Sequence, residues 1–523
     1  MKELKLEEMT LEQKIGQLIC IRGFLSKESI EDICNALNGG ALGAIWMKWQ
    51  NVGDYTPAEV IARFREAAGY NVLLCADMEN GFPGSDLAFP SQMSITYAAR
   101  EELAYEVAKA VAIEAKNAGY NIVWGPVVGI GREGSCYSNA RNFGSMKENI
   151  KYGLAMLRGY QDQGMVAAMK HFPGSGRGGR GDSHMRPTQS ESDLEELKNV
   201  DMQPFFAAVK SGDLAAVMTT HRKHPKVDDN PSTLSAKILG TIREEGFDGV
   251  IFSDSMAMMA IEGVYGRREC LGLAIAAGVD VVLPNSKLSY QEVHDALMDS
   301  YRRGVFTEER LNDAVRHVLD AQKKTMAKPT QTELTETQKN LSEELSAKSL
   351  CAILKDGVEV KLDPNKKKLF VLLHETNPAE SGVSLELDSS NVYNKAQVEK
   401  KAKLIQEEFP DAQVVLINEF PNKLENIKVL DICTEVDEVI FLTFCKYANH
   451  QGSDNLTLRM KNLLDACMYK MAAIVHMGNP YEMRPFLCAP RVFLGTTGSK
   501  SEKYALKALK GEFIPTGKAP ADL

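Results

Sequence analysis

Eight short apolar runs, each followed by an amphipathic stretch, dominate the first 330 residues. The runs are QLICIRG, GAIWMK, NVLLCAD, NIVWGPV, MVAAMKHF, AAVMTTH, GVIFSDS and DVVLPN. Segments between them, such as PAEVIARFREAAG and LAYEVAKAVAIEAKNAG, place apolar residues at i, i+3, i+4 and i+7, the spacing of one buried helix face. Strands apolar on both faces and separated by helices pair in parallel beneath a helical cover. Eight such units predict a closed (β/α)8 TIM barrel over residues 1–330, with an open doubly wound sheet as the alternative.

A charged, polar stretch opened by the breaker Pro329 reads as a linker and bridging helix over 331–355, capped near Ser342. From 356 to 523 a second series, KKLFVLLHE, AQVVLINEF, EVIFLTFC, AAIVHMG and RVFLGT, predicts a smaller doubly wound α/β sandwich domain. In this domain Glu419 ends a strand, and a polar loop from Asn449 to Asp454 is a candidate cap for the barrel.

Composition bounds the function. With 44% hydrophobic and 25% charged residues the chain has a globular balance. Its formal net charge of −9 gives no basic footprint, so no nucleic-acid partner is expected. No long apolar run predicts a membrane segment. The ten cysteines are scattered from Cys20 to Cys488 without a C-x-x-C pair, which reads as a reducing compartment. The N-terminus MKELKLEEMTLEQKIGQLIC mixes charges throughout and is not read as a signal peptide, so a cytoplasmic location is expected.

Barrel chemistry sits at the C-terminal ends of the strands. Those ends carry Asp77 and Glu79, Lys170 and His171, His221, Asp254 and Asn285, with Arg141 in a long loop. The loop KHFPGSGRGGRGDSHMRPT, residues 170–188, is too rich in glycine for helix or strand and reads as a mobile active-site loop. Within it Asp182 and His184 stand two residues apart, so in an extended segment they share one side. The carboxylate can then orient the imidazole and raise its pKa, making a proton shuttle near neutral pH. Asp254 at the end of GVIFSD fits a nucleophile, a metal ligand, or the N-cap of the helix in SMAMMAIEG.

In order along the chain, MTLEQKIGQL, DMENG at 77–81, NARNFGS at 139–145, KHFPGSG…DSH, MTTHRKHPKVDDNPSTLS, IFSDS and AGVDVVLPN resemble glycoside hydrolase family 3. The likeness is to its bacterial β-N-acetylglucosaminidase branch; NHQGSDN and GNPY resemble the family's C-terminal α/β domain. The resemblance implies a retaining, exo-acting enzyme that releases terminal β-linked N-acetylglucosamine. Asp254 is then the nucleophile and Asp182–His184 the acid/base pair. Asp77, Arg141, Lys170 and His171 hold the sugar, with His221 in the same shell. A small oligosaccharide substrate, from peptidoglycan recycling or imported glycans, and no cofactor or metal are implied. Oligomeric state is left open.

Three departures stand out. Ser175 occupies a position where the family usually has a second histidine. DMENGFPGS is not followed by the arginines that accompany the family's acidic motif. The loop is also more basic than usual, with Arg177, Arg180 and Arg186. Arg177 and Arg180 therefore suggest an anion-binding loop, for an acidic sugar or inorganic phosphate. Phosphorolysis by the same residues is one alternative. A metal-dependent barrel hydrolase using His171, His184, His221, Asp77 and Asp254 is another, and a non-catalytic sugar-binding relative a third.

Overall fold

Each of the eight apolar runs forms a parallel strand. The computed structural model describes residues 3–23, 27–132, 140–178, 181–374, 395–444, 456–498, 500–520 and 523. The strands are β1 (Cys20–Arg22), β2 (Ala44–Trp46), β3 (Leu73–Asp77), β4 (Ile122–Val127), β5 (Val166–Phe172), β6 (Ala216–Thr219), β7 (Val250–Ser255) and β8 (Val281–Leu283). They pair in sequence order. A parallel bridge between Ile19 and Val282 joins the last strand to the first, with the Val282 N–H donating to the Leu18 carbonyl at 2.9 Å. The open doubly wound alternative is thereby excluded for this unit.

The interior is built by every second strand residue. Cys20, Ala44, Leu73 and Cys75, Ile122 and Trp124, Val166 and Ala168, Ala216 and Met218, Val250 and Phe252, and Val281 and Leu283 form one buried cluster. Such a two-residue period is what a strand imposes on its side chains. The covering helices start where the sequence supplies caps. Thr56 with Glu59, Ser145 with Glu148 and Ser289 with Glu292 form reciprocal capping boxes. No helix among the described residues is long and apolar enough to cross a membrane.

The chain divides into two compact units, the first within Met1–Ala88, Glu101–Ser138 and Asn142–Lys339. The second takes Phe89–Arg100, Asn139–Arg141 and Asn340–Leu523, so its boundary departs from a simple cut after residue 330. The reason is packing. Met93 and Tyr97, on the helix Met93–Ala98, belong to the same apolar cluster as Val371, Phe441 and Ile474. Backbone bonds add to this, from Ser91 N–H to the Thr497 carbonyl at 3.4 Å and from Lys518 N–H to the Tyr97 carbonyl at 2.8 Å.

In the second unit β10 (Lys368–His374), β11 (Gln413–Asn418), β12 (Glu438–Phe444), β13 (Met471–Met477) and β14 (Arg491–Gly495) fall on the five expected runs. Strand β9 (Cys351–Leu354) precedes them and pairs antiparallel with β14. The sheet order is β11-β10-β12-β13-β14-β9. Its parallel part is therefore wound outward in both directions from β10. Strand β9 lies inside the stretch expected to be linker; four residues on a sheet edge carry too little pattern to be read. The bridging helix over Leu341–Lys348 is preceded by Asn340 rather than capped at Ser342.

Candidate active site

The inward register of the barrel strands runs past the core to their C-terminal ends. Cys20 leads to Arg22, Ala44 to Trp46, Cys75 to Asp77, Ala168 to Lys170, and Phe252 to Asp254. Each polar side chain thus occupies the next inward position above an apolar layer. Trp46 and Trp124, with ring centroids 5.5 Å apart, and Phe252, 6.5 Å from Trp124, form the aromatic floor beneath them.

Asp254 has one oxygen fixed and one open. Its Oδ1 accepts the Ser255 N–H at 2.7 Å, while Oδ2 lies 3.8 Å from His171 Nε2. The side chain keeps 24% of its exposure, enough for a ligand to reach it. Burial pushes the carboxyl up, but the charges of His171, His221 and His184 and the Ser255 N–H outweigh it. The group is held below the ordinary carboxylate value and is ionised at neutral pH. It does not cap the helix that follows, which runs Met259–Tyr265 behind the N-cap Met258.

Asp182 and His184 meet, though not through an extended segment. The chain turns, so Asp182 Oδ1 accepts both the His184 backbone N–H and Nδ1–H, each at 2.8 Å. A carboxylate can only accept, so Nδ1 carries the proton here and Nε2 is the nitrogen left to exchange one. Asp182 is 2% exposed, whereas the His184 side chain keeps 18%.

The glycine-rich loop is stitched to the barrel on both sides of Gly179 and Arg180. The Gly176 N–H donates to Asp201 Oδ1 at 2.9 Å, and Arg132 grips the same carboxylate with two bonds of 3.0 and 2.9 Å. Arg222 donates to the Gly178 carbonyl at 2.7 Å and to the Gln189 carbonyl at 3.2 Å. Beyond Asp182, the Met259 and Ala260 N–H groups donate to the His184 and Ser183 carbonyls at 3.3 and 3.1 Å. The glycines make this close approach possible. A Cβ on Gly174, whose φ is +108°, would stand 2.7 Å from Asp201 Cβ, and one on Gly176 would stand 2.1 Å from Ser190 Oγ.

Lys170 is 2% exposed and bridges Asp77 Oδ1 at 2.6 Å and Glu79 Oε1 at 2.8 Å. One buried cation between two carboxylates fixes all three side chains. The site as a whole therefore offers a carboxylate with an open oxygen, a carboxylate-tethered imidazole and a rigid polar wall.

Residues 10–321 match the glycosyl hydrolase family 3 N terminal domain. The chain belongs to glycosyl hydrolase family 3. Among family 3 relatives, a β-hexosaminidase of Xylella fastidiosa is 33% identical over 237 residues, 43% of this chain and 70% of that protein. A β-N-acetylglucosaminidase/β-glucosidase of Cellulomonas fimi is 27% identical over 338 residues, 60% of this chain and 57% of that protein. The solved family 3 β-N-acetylglucosaminidase of Paenibacillus sp. str. FPU-7 superposes with a TM-score of 0.79 at 24% identity, over 98% of both chains. A β-glucoside phosphorylase gives a TM-score of 0.78 at 19% identity, over 98% of this chain and 94% of that one. These two superpositions establish the two-domain family 3 fold. The chain is thus a glycoside hydrolase, and its likeness to the β-N-acetylglucosaminidase branch extends from motifs to relatives.

Within this family 3 barrel, Asp77, Lys170, His171, Asp182, His184 and Asp254 gather at one end. Arg141 falls in the second unit. His221 is present but committed. Its Nε2 donates to the Ser255 carbonyl at 2.9 Å and its Nδ1 faces Thr233 Oγ1 at 2.8 Å. Burial pushes its imidazole down, against the pull of Asp254 and the Ser255 carbonyl, and its two ring nitrogens tie Ser255 at the end of β7 to Thr233.

Arg177, one of the two arginines expected to bind an anion, already has a carboxylate partner. Its guanidinium is exposed and paired with Glu196 at 2.7 Å, because the loop turns that side chain outward. Arg180 lies outside the described residues, as does the polar loop from Asn449 to Asp454. In the residues that the metal alternative would use, most donor atoms are already engaged. His221 has both nitrogens engaged, His184 Nδ1 is on Asp182, and Asp77 is on Lys170. Among the described residues no three ligand side chains converge. Sequence reasoning passed over Arg22, Trp46 and Ser255. For Arg22 the signal was available, since it closes an apolar strand on the inward register.

Proposed function

We propose that the chain is a retaining, exo-acting enzyme that releases terminal β-linked N-acetylglucosamine from small oligosaccharides. The observation that carries this reading is the pairing of an open-sided Asp254 with an imidazole tethered by the buried Asp182. The names of the family 3 relatives supply the sugar.

In the first step Asp254 attacks the anomeric carbon as the glycosidic bond breaks, and the leaving oxygen takes the proton from His184 Nε2. The result is a glycosyl ester on Asp254. In the second step water attacks the same carbon, gives its proton to the now neutral His184, and releases the Asp254 carboxylate. Asp182 stabilises the imidazolium and fixes its tautomer throughout. Lys170, His171 and Asp77 hold the sugar by its hydroxyls. A cytoplasmic setting belongs to this reading and rests on the scattered cysteines.

The test uses 4-nitrophenyl β-glycosides of N-acetylglucosamine and glucose, with and without phosphate. The first product should be the β-anomer of free N-acetylglucosamine, identified by proton NMR before mutarotation. An α-anomer as first product would sink the double displacement, and sugar 1-phosphate would convert the reading to phosphorolysis.

A further inference from the structure

We propose that Arg22, on the first strand of the barrel, is a positioning residue for Asp254 on the seventh, acting through Ser255. This rests on the reading of Asp254 as nucleophile.

Ser255 is a three-way junction. Its N–H donates to Asp254 Oδ1 at 2.7 Å, its carbonyl accepts His221 Nε2–H at 2.9 Å, and its hydroxyl accepts Arg22 Nη2–H at 2.8 Å. Two of these bonds come from elsewhere in the barrel, from Arg22 on β1 and His221 after β6, and fix Ser255, and the third transmits that fixity to one oxygen of the nucleophile. Rotation of Asp254 about its side chain would break a bond whose donor cannot follow. The other oxygen stays open for attack.

The placement of Arg22 makes little sense as packing alone. Its guanidinium lies over the Trp46 ring at 4.3 Å, and its Nε is buried with no hydrogen-bond partner among the described residues. Its hydrogen bond goes to a neutral hydroxyl rather than to a carboxylate. Burial draws it down to about 10, with Cys20, Asp254 and Asp77 opposing, so it remains a cation at neutral pH. A cation bonded directly to Asp254 would occupy the lone pairs that must attack. Set one residue away, it supports the carboxylate by its field and by orientation without blocking it. The charged and titratable groups facing Asp254 are then His171 from β5, His221 after β6, His184 from the loop and Arg22 from β1.

The experiment is a double-mutant cycle on the full chain with Arg22→Met, Ser255→Ala and both together, plus Arg22→Lys. It reads kcat, KM, the pH profile of kcat/KM and the melting temperature. Arg22→Met should lower kcat roughly 10- to 100-fold with KM nearly unchanged, the cost of a misplaced reacting group. It should also move the acid limb of kcat/KM to higher pH. Ser255→Ala should act in the same direction, and the double variant should be no worse than the poorer single. Arg22→Lys, which keeps the charge, should restore the acid limb and only part of kcat.

A rise in KM at unchanged kcat would make Arg22 a sugar contact and overturn the proposal. So would an unmoved acid limb, or losses that multiply in the double variant. The nucleophile reading is checked separately on the wild-type chain with a 5-fluoro N-acetylglucosaminyl inactivator. Labelling of Asp254 together with multiplying losses would reject Arg22's role alone, whereas labelling elsewhere would reject the reading beneath it.

Discussion

Asp254 closes β7 at its C-terminal end, whereas Asp280 lies just ahead of β8, at the opposite end of the barrel. Both are acidic groups drawn out of water, and both are held below the ordinary carboxylate value. Asp280 is fully buried and saturated. It accepts from Arg243 at 2.8 Å, from Arg310, from His317 Nδ1 at 3.1 Å and from the Ile251 N–H at 2.8 Å. Burial raises it, and the His317 bond and the two arginines overcome that. Asp254 has one backbone donor, a histidine 3.8 Å away and a path to solvent. A carboxylate whose lone pairs are all occupied by fixed donors is structural, and one stabilised mostly by field, with an oxygen left open, can react.

The contrast breaks most sharply under substitution. Asp254→Asn should lower kcat/KM by roughly 10⁴-fold or more, as loss of an essential nucleophile does. Its urea midpoint should be unchanged or higher. Equal activity would remove Asp254 from the chemistry.

His184→Ala separates the two proton-transfer roles from nucleophilic attack. Alkyl and sugar leaving groups should lose about 10²–10⁴-fold, while 4-nitrophenyl substrates, which need no proton, should lose far less in the first step. Equal losses across a leaving-group series would assign His184 elsewhere.

Asp280→Asn should do the reverse of Asp254→Asn. Arg243 and Arg310 would be left without their buried counter-charge, at a cost of about 3–5 kcal/mol in unfolding free energy. Activity per folded molecule should be retained. A large fall in kcat with unchanged stability would contradict the division of labour.

The two ends should also respond together to acid. Because both folded carboxylates are depressed, the unfolded chain takes up protons first as pH falls. Stability from Asp280, and from Asp248 lowered to about 2 by its Arg316 and His317 bonds, is complete above the unfolded value of ~3.9. It is lost as pH falls through the folded values, so urea midpoints should drop between about pH 4 and 2. The acid limb of kcat/KM should likewise lie below ~3.9, the ordinary aspartate value. Least of all, Arg177→Ala should leave activity unaltered with and without phosphate, since its partner is Glu196.

Periodicity carried much of this into view. All eight barrel strands were legible because each is an apolar run ended by a polar residue. Asp77, Lys170 and Asp254 were legible because they are those ends. The glycines and the Asp182–His184 spacing marked the loop. What stayed hidden depends on contacts distant in sequence. Nothing local says that Arg177 meets Glu196, that Asp201 and Arg222 anchor the loop, or that Phe89–Arg100 joins the second unit. Arg22 lies between these cases. Its strand position was readable, but its partner Ser255 is 233 residues away.

The central claim is that Asp254 forms the covalent bond to the sugar. It is tested most directly by incubating the full chain with the 5-fluoro N-acetylglucosaminyl inactivator, digesting it and locating the adduct by mass spectrometry. The account predicts one glycosyl ester, on Asp254, formed with loss of activity and reversed as activity returns. An adduct on another residue, or turnover without an adduct while the first product is the α-anomer, would contradict it.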